Sequence, residues 1–131
     1  MRWIALAPSL IALPLLGFQD PSYVRDVRPI LDTHCTSCHQ PASKQSELDL
    51  TTYAGFQAGG TRGPAFVAGS PDESLVIRLI TAALKPSMPF GQPLLDTDDV
   101  SMIREWIKSG ARDDSLLIRR RARPRSTINR P

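Results

Sequence analysis

Aromatic residues are scarce in this sequence, at 6% of 131 residues, whereas prolines number 12. This composition excludes a large apolar core and favours one small domain that is rich in loops. The sequence also lacks a parallel-sheet pattern and an internal repeat, which argues against an α/β architecture or a repeat protein.

No apolar run is long enough to cross a bilayer comfortably. The longest one, Trp3–Leu16, spans 14 residues, follows the basic Arg2 and is interrupted only by Ser9 and two prolines. We interpret residues 1–19 as an export signal with cleavage near residues 17–19, or as an uncleaved N-terminal anchor. The two prolines argue against a buried core helix, since each would break it.

Cysteine and histidine are equally scarce, and all four occur within the six residues His34–His39. Six consecutive residues can hardly surround one tetrahedral zinc ion. A thioredoxin-type dithiol would need a neighbouring βαβ pattern, which the sequence does not have. A plain disulfide between Cys35 and Cys38 stays open, but it leaves His39 without a role.

These four residues include the pentapeptide Cys35-Thr36-Ser37-Cys38-His39, and C-x-x-C-H is the attachment signature of covalent c-type haem. Each thiol adds to a haem vinyl group and forms a thioether. The imidazole of His39 can then bind the iron as the proximal ligand. We therefore predict one covalent haem c, held by Cys35, Cys38 and His39, which would supply the apolar centre that the composition lacks.

Met88 is the best candidate for the distal iron ligand. It lies 49 residues after His39 in a loop with three prolines, and such a loop can hold a weakly binding thioether in place. Methionine as a surface or core filler is the alternative. His34 competes for the same position, but its place beside Cys35 keeps it on the attachment side. Met102 fits a hydrophobic role within a helix.

The sequence pattern of residues 20–114, the body of the protein, predicts helices joined by long loops. Ser22 can cap a first helix in which Pro29 marks a kink or the start of the regular part. Further helices are predicted after Thr51, after a Ser70 N-cap as far as Ala83, and between a Thr97 N-cap and a Gly110 stop. Their apolar positions recur at three and four residues. The glycine-containing stretch 61–69 is predicted to be irregular and able to approach a flat ligand closely.

Charge is divided unevenly along the chain. Residues 20–118 hold nine Lys and Arg against 13 Asp and Glu, a net charge of −4, while residues 119–131 hold six arginines and no acid. We predict three regions: the signal or anchor (1–19), the body (20–114) and a basic, disordered tail (115–131). The tail is a solubilising end, the start of a linker, or a contact for anionic lipid or an acidic partner. Nucleic-acid binding is not expected, since no aromatic residues interleave with the arginines.

Four segments in order resemble the planctomycete-type cytochrome c domain: Asp26–Leu31 before C-T-S-C-H, then Val67–Arg78, Met88-Pro89 and Ile103–Ala111. The resemblance covers Tyr23 to Arg112. It implies an all-α, cytochrome c-like fold with a few helices around one haem, His39 proximal, Met88 distal and the terminal helices packed together. It also implies haem attachment outside the inner membrane, in agreement with an export signal.

The predicted function is that of an exported, periplasmic, single-haem electron carrier, not an enzyme, with an unidentified redox partner. Membrane tethering through the N-terminal segment, or surface contact through the arginine tail, stays open. One alternative is a haem-based sensor or peroxidase-like enzyme with an open distal site. Another is a thiol redox protein without haem. Arg62 and Lys85 can pair with haem propionates, although exposed surface charge is the commoner role for such residues.

Overall fold

The structure is a computed structural model that describes residues 19–122. Within this range it has five α-helices and no β-strand, apart from a single bridge between Gly60 and Gly63. The helices are α1 (Arg28–His34), α2 (Tyr53–Ala58), α3 (Leu75–Ile80), α4 (Thr97–Lys108) and α5 (Ser115–Ala122). This confirms the predicted small all-α fold with long loops. The predicted export segment lies almost entirely outside the described residues.

The first helix begins as the sequence predicts and is irregular in its first turn. The Ser22 hydroxyl accepts a hydrogen bond from the Arg25 N–H at 3.1 Å. Tyr23–Val27 is π-helical, and regular α-helix starts only at Arg28. Pro29 therefore lies in the first turn of α1, where its missing N–H leaves no hydrogen bond unmade.

The segment before α3 corrects the prediction of one helix from Ser70 to Ala83. Pro71–Glu73 forms a single 3-10 turn, and Ser70 makes no side-chain capping bond. The chain is then extended at Ser74 before α3 begins at Leu75 and ends at Ile80. The fully buried Ser74 hydroxyl causes this break, because it accepts a bond from the Val67 N–H (2.9 Å) and donates to the Ser70 carbonyl (2.9 Å).

The boundaries of α4 follow the predicted signals closely. Its N-cap is Asp96 instead of Thr97, because the Asp96 carboxylate accepts the N–H three residues ahead at 2.8 Å. Gly110 follows the helix with φ of 108°, and the Ala111 N–H bonds back to the Trp106 carbonyl at 2.9 Å. This closure needs a positive φ, which glycine adopts without strain. The predicted glycine stop is therefore confirmed.

The core forms around Trp106 of α4, which is fully buried. Although aromatic residues are few, four of them lie with ring centroids 5.1–6.2 Å from Trp106: Tyr23, Tyr53, Phe56 and Phe66. The π-helical segment Tyr23–Val27 packs on α4, as the resemblance implied for the terminal helices. Five of the eight aromatic residues thus form one cluster that joins the two ends of the body.

The chain after α4 differs from the predicted disordered tail. Ser115–Ala122 forms α5, although none of its residues is buried. The arginines beyond residue 122 lie outside the described part of the chain. Among residues 19–122, no helix combines the length and apolarity that crossing a membrane requires.

Candidate functional site: an apolar cavity at the C-x-x-C-H turn

An apolar cavity of about 210 Å³ lies beside the C-x-x-C-H turn and opens partly to solvent. Its walls come from four parts of the chain: the turn itself, residues 46–65 including α2, α3, and the loop that contains Met88. The apolar lining side chains include Leu48, Leu50, Phe56, Ala65, Leu75, Val76, Leu79, Ile80 and Pro86. The cavity joins segments that lie as many as 53 positions apart.

The pentapeptide continues α1 as a tight turn. The Cys35 N–H bonds to the Leu31 carbonyl at 2.9 Å, and the Cys35 carbonyl accepts the N–H groups of Cys38 (3.2 Å) and His39 (3.0 Å). Cys35 and His39 line the cavity, whereas Cys38 is exposed and is not part of the lining. The structure therefore brings two of the three predicted attachment residues to the cavity wall, with the third next to them on the turn.

The His39 ring is oriented by a loop that sequence reasoning did not identify. Its Nδ1 lies 3.0 Å from the Gln45 carbonyl oxygen. Because a carbonyl only accepts hydrogen bonds, Nδ1 carries the proton and Nε2 keeps its lone pair. Backbone bonds from Gln45 to Cys38 (3.3 Å) and from Leu50 to the His39 carbonyl (2.9 Å) hold the loop on the turn. No local pattern marks Gln45, since its carbonyl, not its side chain, makes the contact.

Met88 lies on the cavity wall contributed by the proline loop. It is half-buried, packs against the core, and its N–H donates to the Leu79 carbonyl at the end of α3 at 3.1 Å. Pro86 lines the cavity beside it, and the Lys85–Pro86 and Met88–Pro89 peptide bonds are cis. The structure thus brings Cys35, His39 and Met88 to one cavity, although they come from distant parts of the sequence.

The other candidate ligands lie elsewhere. His34 contacts Asp99 of α4, with Nε2 3.3 Å from Oδ2, and does not line the cavity. Met102 is exposed on α4, which differs from the hydrophobic role predicted for it. Among the described residues, Met88 is therefore the methionine that the cavity contains.

Burial changes the acidity of the Cys35 thiol. Desolvation by the apolar surroundings raises its pKa to about 11, and the nearby Cys38 adds to the rise. Cys35 is therefore a protonated thiol at neutral pH, unlike the low-pKa thiolates of dithiol redox sites. An apolar environment is compatible with a sulfur that becomes a neutral thioether. It is unfavourable for a sulfur that must form a thiolate to exchange disulfides.

A short turn places one cation at the mouth of this apolar cavity. Gly60 and Gly63 bond to each other in both directions at 3.2 and 2.9 Å, and Arg62 between them lines the cavity. Gly60 is required because a Cβ there would lie 2.3 Å from the Ser46 carbonyl oxygen. The glycines of the stretch 61–69, which were predicted to approach a flat ligand, are Gly63 and Gly69, and of these Gly63 lines the cavity. Lys85 is exposed and outside the lining.

These residues fit a covalently attached haem. The walls are apolar, as the porphyrin faces require, and a thiol, an imidazole with a free Nε2 and a thioether sulfur are the donors present. Arg62 is the only permanently charged side chain in the described lining, and it can face a carboxylate.

Comparison with protein families agrees with this geometry. Residues 35–89 match the family model described as Planctomycete cytochrome C, a segment that begins at Cys35 and ends one residue after Met88. No curated protein and no solved structure matches the chain. An all-α body, an apolar cavity beside a C-x-x-C-H turn and this match support one conclusion: residues 35–89 form part of a planctomycete-type cytochrome c domain.

Proposed function

We propose that the protein is an exported electron carrier with one covalent haem, bound by thioethers to Cys35 and Cys38 and ligated by His39 and Met88. The observation that carries the proposal is the shared cavity of Cys35, His39 and Met88. When bound, haem supplies an iron that alternates between Fe(II) and Fe(III), and His/Met ligation favours a high reduction potential. The apolar run Trp3–Leu16 supports export to the periplasm.

The residues around the cavity have distinct tasks in this proposal. The Gln45 carbonyl holds the proton of His39 on Nδ1 and so directs Nε2 toward a metal. The Leu79 carbonyl fixes the backbone of Met88. Phe56, Leu50 and Ile80 exclude water from the wall between them, which reduces the solvent reorganisation that accompanies a change of charge.

Two alternatives make different use of the same residues. In a sensor or peroxidase-like enzyme the distal side would be open, and Met88 would only fill space. In a haem-free thiol redox protein Cys35 would need a reactive thiolate, whereas burial raises its pKa to about 11. The second alternative is therefore disfavoured, and the first is separated from electron transfer by changing Met88.

The test compares Met88→Ala with Met102→Ala in protein made with a c-type maturation system. Wild-type protein should be red and keep its haem after denaturation. Met88→Ala should lose the six-coordinate low-spin spectrum of the wild type and lower the reduction potential, because the thioether stabilises Fe(II). Met102→Ala removes an exposed methionine outside the cavity and should change neither property.

Each result is decisive. Equal spectra and potentials for the two variants would exclude Met88 as a ligand and favour an open distal site. A colourless wild-type protein with reactive thiols would reject the proposal as a whole.

A further inference from the structure

Packing against the rest of the fold does not account for the stability of helix α5. None of its residues is buried, and Leu116 and Leu117 are 68% and 63% exposed. A helix of eight residues without tertiary packing is only marginally stable in water, because nucleation is costly and few hydrogen bonds follow. Another surface that covers the two leucines would supply the missing packing.

The charge of this region restricts what that surface can be. Arg119, Arg120 and Arg121 follow the leucines within α5, and the sequence adds three more arginines and no acid before residue 131. A second copy of this helix would bring like charges together and is therefore disfavoured. Exposed leucines followed by arginines offer apolar groups to the acyl boundary and guanidinium groups to the phosphates of an anionic bilayer.

The position of α5 on the body provides an independent argument. Asp114, directly before the helix, accepts hydrogen bonds from the Ser22 hydroxyl and, at 3.0 Å, from the Val24 N–H. Arg112 pairs with Asp20 in the same region. The start of α5 is therefore fixed beside residues 20–24, which follow the apolar run Trp3–Leu16 within a few positions.

We propose that this end of the body, where residues 20–24 meet residues 112–114, faces a membrane, and that α5 binds anionic lipid. The leucines enter the interface and the guanidinium groups contact lipid phosphates. An acidic protein segment would satisfy the arginines, but it would not explain why Leu116 and Leu117 are exposed next to them. The inference does not depend on how the haem iron is ligated.

The test measures partition of the haem-loaded full chain into vesicles of phosphatidylcholine, alone or mixed with phosphatidylglycerol. Any apolar contribution of the N-terminal run is common to both vesicle types, so their difference reports on positive charge, and the variants assign that charge to α5. Wild-type protein should prefer the anionic vesicles, and high salt should weaken that preference. Replacing Arg119, Arg120 and Arg121 with Gln should lower partition into anionic vesicles on the order of 100-fold, since each arginine near an anionic surface favours binding about fivefold.

Two further variants make the result specific. Leu116→Ser with Leu117→Ser should lower partition at least about tenfold without altering the haem spectrum, because both side chains are exposed. A control with Lys44→Gln, Arg78→Gln and Lys85→Gln removes the same charge from exposed positions away from residues 20–24 and should retain partition within about threefold. Equal loss in this control and the arginine variant would overturn the proposal, as would equal binding of wild type to both vesicle types. Binding to an acidic polypeptide but not to vesicles would replace lipid with a protein partner.

Discussion

At the scale of single residues, the cavity depends on a few atoms that are held by the backbone. The Gln45 carbonyl determines the His39 tautomer, and the Leu79 carbonyl fixes Met88. Arg62 differs from both, because it brings a charge to an otherwise apolar lining. Haem carries two carboxylates, which a neighbouring cation can bind. The positive charge of that cation would also raise the energy of Fe(III) relative to Fe(II).

Arg62→Gln should lower the reduction potential of the haem-loaded protein. The guanidinium opposes the extra positive charge of Fe(III), so its removal stabilises the oxidised form by an amount on the order of tens of millivolts at the partly exposed cavity mouth. Spectroelectrochemistry measures the midpoint. Arg78→Gln removes the same charge from an exposed position of α3 outside the cavity and is the matched control. Equal shifts in both variants would show that Arg62 has no particular relation to the haem.

At the scale of elements, α3 contributes more residues to the cavity wall than any other helix in the described part of the chain. α3 contributes Leu75, Val76, Leu79 and Ile80 to the lining. Its start is set by Ser74, whose hydroxyl joins the extended residue before α3 to Val67 and Ser70. A longer regular helix from Ser70 would rotate these apolar side chains relative to the cavity, since each added helical residue turns the face by about 100°.

Ser74→Ala should lower the free energy of unfolding by about 1–3 kcal/mol, because it leaves the Val67 N–H without its acceptor in a buried site. Denaturant titration of the haem-loaded protein gives this value. Ser101→Ala is the control: Ser101 is exposed in α4, where alanine is the better helix former. If the two variants unfold at the same denaturant concentration, the Ser74 hydroxyl does not stabilise the start of α3.

At the scale of the whole molecule, the cavity and the core are one continuous structure. Four buried residues belong to both the hydrophobic core and the cavity lining: Leu50, Phe56, Ala65 and Ile80. Phe56 also stacks on Trp106 with centroids 5.8 Å apart and ring planes 13° apart. A group that fills the cavity would therefore complete the packing of the core. The same core holds the segment Tyr23–Val27 against α4.

Cys35→Ala with Cys38→Ala should prevent covalent attachment and destabilise the entire body. Loss of the group would expose the apolar wall to water, and we expect the melting temperature to fall by at least about 10 °C, the equivalent of a few kcal/mol in a domain of this size. Thermal unfolding followed by far-UV circular dichroism measures the change. Ser37→Ala alters an exposed spacer residue within the same turn and keeps both sulfurs, so it should retain haem and stability. A colourless double variant with an unchanged melting temperature would show that the stability of the core does not depend on haem.

The sequence by itself determined the features that depend on neighbouring residues. The attachment motif is five consecutive residues, the Ser22 cap acts over three positions, and the apolar stripe of α4 follows from helical spacing. Met88 is proposed as a ligand partly because prolines surround it, but its meeting with His39 is not local. For the motif, the cap and the stripe the relevant interaction is local, so the chain carries its signal within about one helical turn.

Only the tertiary structure decided which of these features meet. Nothing in the sequence near His39 selects the Gln45 carbonyl, and nothing near His34 selects Asp99, because the partners are joined by folding. The same reason explains why Ser74 interrupts a helix that local signals favour, and why α5 starts beside Ser22. Long-range contacts depend on how buried surfaces and unpaired polar groups are satisfied together, which no single segment encodes.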